Sequence, residues 1–212
     1  MPLIDLDIPT SSHTPPRIVR AFVREADRRA EPLLASGRVP AFVPCEYAAA
    51  YPVLAGLVAT TLTRGPVFCE WGSGLGVVAG LAALLGFDAC GIEAEGTLVD
   101  QARRLAEDFG LASEFAHGSF VPPGGEDLVY RGGQYAWLTT ESDDAYAELG
   151  HDPADLDVVF AYPWPDEEGV TADLFDRYAG PGALLVTYHG SEAFRLRRKV
   201  GRRAAKRRAG RR

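Results

Sequence analysis

The chain has 212 residues, with 22 Lys and Arg against 29 Asp and Glu, for a formal charge of −7. That figure sums unlike parts: residues 195–212 hold eleven basic side chains and no acid, which leaves the other 194 residues with 11 bases against 29 acids, a net −18. A hydrophobic content of 47% with 10% aromatics excludes a disordered body, and no apolar run reaches the roughly 18–20 residues of a membrane span.

The N-terminal stretch MPLIDLDIPTSSHTPP carries acids where a signal peptide would carry bases, so the expectation is a soluble cytoplasmic protein with no membrane contact. Residues 1–13 read as irregular. Thr14 before Pro15 reads as an N-cap with proline in the first turn of a helix that runs to about Leu34. On that helix Arg17, Arg20, Arg24 and Arg28 recur at helical spacing and share one face, which reads as solvated because Glu25, Asp27 and Glu31 stand beside it. Residues 35–44 form a loop, and residues 46–63 a small, apolar helix with room for a kink at Pro52.

From residue 66 the pattern becomes short apolar strands alternating with longer helical stretches. The strands are 66–71, 88–93, 112–120, 156–165 and 183–190; the helices are 75–86, 96–110 and 171–178. Such alternation implies βαβ units, hence an α/β, Rossmann-like, mainly parallel sheet with helices on both faces. Residues 121–152 break the rhythm as an insertion, with short strands expected near Val129 and at 136–140. The organisation read from the chain is an N-terminal helical segment (1–64), a core (65–194) and a basic tail (195–212). Cys45, Cys69 and Cys90 form no CxxC pair and read as small buried hydrophobes. The four histidines, His13, His117, His151 and His189, show no ligand spacing, so no metal is expected.

The most informative stretch is Cys69-Glu70-Trp71-Gly72-Ser73-Gly74-Leu75-Gly76. It closes a buried strand with an acid and opens a helix through three alternating glycines, which permit a sharp turn and let ligand atoms approach the backbone. A second acid, Glu93, closes the next strand, where a carboxylate can accept both hydroxyls of a ribose. Two cofactors suit such a loop. Gly74-Leu75-Gly76-Val77-Val78-Ala79 satisfies the G-x-G-x-x-A pattern of nicotinamide dinucleotide sites, a weak signal alone. Glu70 argues against it, because a pyrophosphate would lie beside a like charge. S-adenosylmethionine has an amino group, a cationic sulfonium and a ribose diol, and no phosphate.

An E-x-G-x-G-x-G stretch after a strand, with an acid after the following strand, resembles the class I S-adenosylmethionine-dependent methyltransferases over roughly residues 40–190. The resemblance implies that Glu70, Gly72, Gly74 and Gly76 line the methionine part of the cofactor and that Glu93 binds the ribose. It places Ser119 where the family often has an acid for the adenine amino group. Phe42-Val43-Pro44 resembles, less specifically, the element before the loop in lysine methyltransferases of the ATP-synthase c-subunit and non-SET histone types. The family core usually ends in a β-hairpin; this chain passes from its fifth core strand into the basic tail, so the hairpin is expected to be missing.

The fourth strand of that core ends Tyr162-Pro163-Trp164-Pro165-Asp166, loosely like the Asn/Asp-Pro-Pro-aromatic motif of amine-methylating members. Tyr162, Trp164 and Asp166 are the candidate catalytic residues: aromatic faces can hold a cationic amine, and Tyr162, Asp166, His189 or bulk water can take its proton. Residues 141–176 hold twelve acids and no Lys or Arg, which would attract cationic protein or amine substrates and repel phosphate. The implied activity is methyl transfer to an amine, a protein lysine first. Two readings stand beside it: an RNA or DNA methyltransferase tethered by nucleic acid bound at 195–212, and a cofactor-binding interaction module without turnover. The tail equally reads as solvated, or as folded back on the acidic belt with Lys199 or Lys206 as a pseudosubstrate. Nothing in the sequence sets the oligomeric state.

Overall fold

A computed structural model describes residues 3–39, 42–132, 138–140 and 144–201. In chain order the elements are β1 (Leu3–Leu6), α1 (Arg17–Ser36), α2 (Tyr47–Ala59), β2 (Val67–Trp71), α3 (Val77–Leu84), β3 (Asp88–Glu93), α4 (Gly96–Asp108), β4 (Glu114–His117), α5 (Glu126–Gly132), α6 (Ala145–Leu149), β5 (Val158–Ala161), a short 3-10 turn (Pro165–Glu167), α7 (Glu168–Tyr178), β6 (Leu184–Tyr188) and β7 (Phe194–Lys199). The strands form one sheet in the order β1-β7-β6-β5-β2-β3-β4. Strands β2 to β6 run parallel, β7 is antiparallel to β6, and β1 is antiparallel to β7.

Period-2 alternation divides each strand between two cores. Phe68, Val158, Phe160 and Val186 face the layer made by α1 to α4. Cys69, Trp71, Val159 and Leu185 face the layer made by α5 to α7. Because the parallel strands are covered on both faces, they read as continuous apolar runs. Strand order reverses between β5 and β2, and the crevice beyond the carboxyl ends of those strands is the place where open α/β sheets bind ligands.

The expected missing hairpin is corrected here. Phe194-Arg195-Leu196-Arg197-Arg198-Lys199 turns back from β6 as β7, pairing Leu184 with Arg198 and Tyr188 with Phe194. The first five residues assigned to the tail are therefore a strand, with Leu196 1% exposed and Lys199 2% exposed. Three of its four charges reach polar partners. Arg195 pairs with Asp5 at 2.7 Å, Arg198 donates to the Leu62 carbonyl at 2.8 Å, and the Lys199 ammonium donates to the Ala179 carbonyl. Buried this way, Lys199 is unavailable as a pseudosubstrate; Lys206 and the rest of 202–212 lie outside the described residues.

Residues 1–13 are likewise not all irregular: Leu3–Leu6 pairs with β7 and closes that side of the sheet. Thr14 does not cap α1, which starts after Pro16 with no side-chain cap. The strand expected near Val129 is helix α5, and the strand expected at 136–140 has residues 138–140 irregular, with 136 and 137 outside the described residues. Arg17, Arg20, Arg24 and Arg28 are exposed as expected, and Arg28 pairs with Glu25.

Residues 7–13 cross α2 as a strap. The Ser11 N–H donates to the Pro52 carbonyl at 2.9 Å, and Pro9 lies on Gly56 so closely that a Cβ there would stand 2.2 Å from the Pro9 oxygen. Gly56→Ala should therefore destabilise the protein by about 1–3 kcal/mol in denaturant unfolding, the usual range for overpacking. Gly169→Ala, in α7 with open space around its Cβ, should be neutral or slightly stabilising through helix propensity.

Candidate functional site

The switch point opens into a cavity of about 350 Å³. Most of its wall comes from four places. The end of β2 and the following loop give Glu70, Trp71, Gly72, Ser73 and Gly74; the end of β3 gives Ile92 to Glu95. Residues 160–165 and Glu167, from the end of β5 onward, close a third side, and Phe42, Val43, Pro44, Cys45 and Tyr47, at the entry to α2, close the fourth. Of the sequence candidates, Glu70, Gly72, Gly74, Glu93, Ser119, Tyr162 and Trp164 line this one cavity. Gly76 and Asp166 do not.

Glu70 is 6% exposed, and its Oε2 accepts the Ala79 N–H of the first turn of α3 at 2.8 Å. This carboxylate caps the helix from the preceding strand, so it fills the place where a dinucleotide phosphate would meet the helix N-terminus. Burial pushes its carboxyl up to about 8; the neighbouring Glu93 charge adds to the rise, and the Ala79 and Val78 amides oppose it. Glu93 is 9% exposed. Its Oε2 accepts from Gly74 at 2.7 Å and its Oε1 from Glu95 at 2.9 Å, while burial raises its pKa as well. Each oxygen keeps a further lone pair for a donor in the cavity.

The glycine loop is tied down by its own backbone. The Gly72 and Ser73 amides donate to the Ile92 carbonyl at 2.9 and 3.0 Å, and the Gly76 amide donates to the Ser73 carbonyl at 2.7 Å. With the Gly74 amide on Glu93, these four N–H groups have intramolecular partners, unlike a phosphate-cradling loop. The three glycines do different work. Gly72, at φ +68°, has open space where a Cβ would stand; a Cβ on Gly74 would press on the Phe42 ring at 3.0 Å. Gly76, at φ +67°, packs under Phe115, only 2.3 Å from the position of an added Cβ. It shapes the turn and makes no part of the cavity wall. The Ser73 hydroxyl is buried with no hydrogen-bond partner among the described residues.

Ser119 reaches the cavity, with its hydroxyl donating to the Thr139 carbonyl and accepting from the Val121 amide at 3.0 Å. It thereby holds Leu138 and Thr139 of the insertion in the wall, a contribution that sequence reading did not foresee. Tyr162 meets Tyr188 edge-to-face at 4.7 Å, and Tyr188 meets Phe194 of β7 at 4.9 Å. The terminal strand therefore braces the cavity wall through a run of three rings. The 3-10 turn after Trp164 leaves Asp166 exposed and puts the next residue, Glu167, into the wall at 6% exposure. His189 bonds Glu168 at 2.9 Å and Thr187 at 2.8 Å, outside the cavity. Cys69 and Cys90 are buried, whereas Cys45 lines the cavity.

No family model and no curated protein matches the chain. Among solved structures, a Klebsiella pneumoniae protein described as an O-methyltransferase superposes with a TM-score of 0.55 at 15% identity, over 90% of this chain and 93% of that one. A Geobacter sulfurreducens methyltransferase superposes with a TM-score of 0.51 at 13% identity, over 89% and 92%.

The Glu70 environment sets a pH dependence. A folded-state pKa of about 8, above the ordinary 4.5, means that the folded protein keeps a proton the unfolded chain has lost. Stability should therefore fall as pH rises from about 5 to about 8, and Glu70→Gln should flatten that slope in denaturant unfolding followed across the range. The cavity, its buried acids and its glycine turn stand at the switch point of a Rossmann-like sheet, the fold this chain shares with these methyltransferase structures.

Proposed function

We propose that the chain is an S-adenosylmethionine-dependent methyltransferase acting on an amine, with a protein lysine as the first candidate. The observation that carries this reading is the charge of the cavity wall: four carboxylates, Glu70, Glu93, Glu95 and Glu167, and, among the described residues, no Lys or Arg. Such a wall suits a cationic ligand and rejects phosphate. The cofactor, when bound, supplies an activated methyl group on a cationic sulfonium and carries an α-amino group and a ribose diol.

Glu70 would hold the amino group and Glu93 the diol. Gly72 would let the ligand approach the backbone, and the unpartnered Ser73 hydroxyl offers a further polar contact. The aromatic faces of Tyr162 and Trp164 would pack on the incoming amine, where a cation is stabilised by the ring quadrupole. The protein's contribution is orientation within a confined, largely apolar wall. The basic residues once grouped as a tail give less support to a nucleic-acid substrate, because four of the eleven belong to β7.

Calorimetry should find S-adenosylhomocysteine bound and NAD not bound, and Glu70→Gln should weaken S-adenosylmethionine binding by about tenfold or more, the worth of one charge-assisted hydrogen bond. Binding of S-adenosylmethionine at pH 7 should release protons as Glu70 ionises against the cationic ligand, seen as a dependence of the heat on buffer ionisation enthalpy. Labelled methyl groups supplied with a cell lysate should enter protease-sensitive product; nuclease-sensitive label would overturn the amine reading in favour of nucleic acid.

A further inference from the structure

The cavity wall is acidic, yet the ligand read into it above is not simply a cation. The amino acid end of S-adenosylmethionine carries a carboxylate on the same carbon as its amino group. With the amino group on Glu70, that carboxylate lies beside Glu70 too, in a wall with no Lys or Arg among the described residues. The glycine loop has little to offer it, because the Gly72, Ser73, Gly74 and Gly76 amides already donate to Ile92, Glu93 and Ser73. The hydroxyls of the wall divide by position. Ser119 and Thr171 donate to carbonyls, and Thr139 stands beside Ser119, beyond β4. Tyr162 lies against the β6–β7 turn, its oxygen 3.7 Å from where a Gly190 Cβ would stand, and Ser73 leans on β3, its oxygen 2.8 Å from the corresponding point on Gly91.

Tyr47 remains. It is 7% exposed, it lines the cavity, and its hydroxyl has no hydrogen-bond partner among the described residues. It is also the first residue of α2, a helix of 13 residues that opens with no side-chain cap and no acid in its first turn. The Tyr47 amide therefore has no acceptor within the helix, and the positive end of the helix dipole meets the wall at this residue. Glu46, at the N-cap, is exposed and outside the wall. Burial pushes the Tyr47 phenol well above its ordinary pKa, and the charges of Cys45, Glu70 and Asp27 add to the rise. The phenol thus stands within electrostatic reach of Glu70 and stays a donor. We propose that the Tyr47 hydroxyl, at the N-terminal end of α2, is the donor for the cofactor's carboxylate, as Glu70 is the acceptor for its amino group. An acid and a phenol side by side select a zwitterion, where an acid alone would accept any ammonium. This rests on the methyltransferase reading above and adds to it the residue that recognises the α-amino acid end of the ligand.

The test uses two ligands that differ only at that carboxylate, S-adenosylhomocysteine and its decarboxylated analogue, each titrated into the full chain by calorimetry. Tyr47→Phe removes one oxygen and keeps the ring in the core. It should weaken S-adenosylhomocysteine binding about tenfold or more, the worth of one hydrogen bond to a charged group, and leave the decarboxylated analogue within about twofold of its affinity for the unmodified chain. Ser73→Ala should leave the ratio of the two affinities unchanged. Equal losses for both ligands in Tyr47→Phe, or no loss for either, would overturn the proposal and make Tyr47 a packing residue of the wall. A selective loss of S-adenosylhomocysteine in Ser73→Ala, with none in Tyr47→Phe, would move the carboxylate to the glycine loop. If S-adenosylhomocysteine does not bind the unmodified chain, the cofactor reading itself fails and takes this assignment with it.

Discussion

The site depends on a carboxylate buried at the end of the central strand. Glu70 leaves β2 toward α3 and accepts the first amides of that helix, so strand, glycine turn and helix are locked by one side chain. Glu93 repeats the device one strand over, holding the middle of the turn through Gly74. Two acids so close, and so far from water, keep each other from ionising freely. The free protein is thereby left with an electrostatic deficit that a cation in the cavity relieves. The proposed affinity for a positively charged ligand and the rigidity of the glycine loop would then come from the same pair of residues.

The parallel core was legible because both faces of its strands are covered, which turns each strand into an apolar run bracketed by turns. The loop was legible because glycines alternate there and an acid ends the strand. Three things were not. Phe194–Lys199 looks like the opening of a polyelectrolyte, since its alternation of Phe194 and Leu196 is hidden by four cations, three of which, Arg195, Arg198 and Lys199, find carboxylate or carbonyl partners only in the folded state. Leu3–Leu6 is four residues long, too short for a periodic signal, and its partner is 190 residues away. Which of Asp166 and Glu167 reaches the cavity wall is set by a single 3-10 turn, which no spacing rule reports.

The aromatic run Tyr162–Tyr188–Phe194 joins features that the sequence keeps apart. It carries packing from the cavity wall across β6 to the final strand, so the proposed substrate side is seated on the sheet's antiparallel end. That end also collects Asp5, Arg195 and Arg197 around one pair of strands, with burial holding the Arg197 guanidinium below its usual pKa. Part of the basic excess in the sequence is thus consumed in finishing the fold, and the acidic character of the cavity owes nothing to a basic counterweight in its own wall.

The edge strand has a consequence for biosynthesis. Leu3–Leu6 is translated before every other described element, yet its strand partner among the described residues, β7, is the last of them. While α1 to β6 are being translated, the N-terminal residues must wait, and the strap over Gly56 cannot be anchored at both ends. Sheet closure is therefore a late event that joins the opposite ends of the described chain, with a large loop to close and a slow, non-local search. A chain stalled before residue 194 would expose the free side of β6 and leave Leu3–Leu6 unpaired, two complementary edges on one molecule. In a crowded polysome, those edges are suited to pair between neighbouring chains.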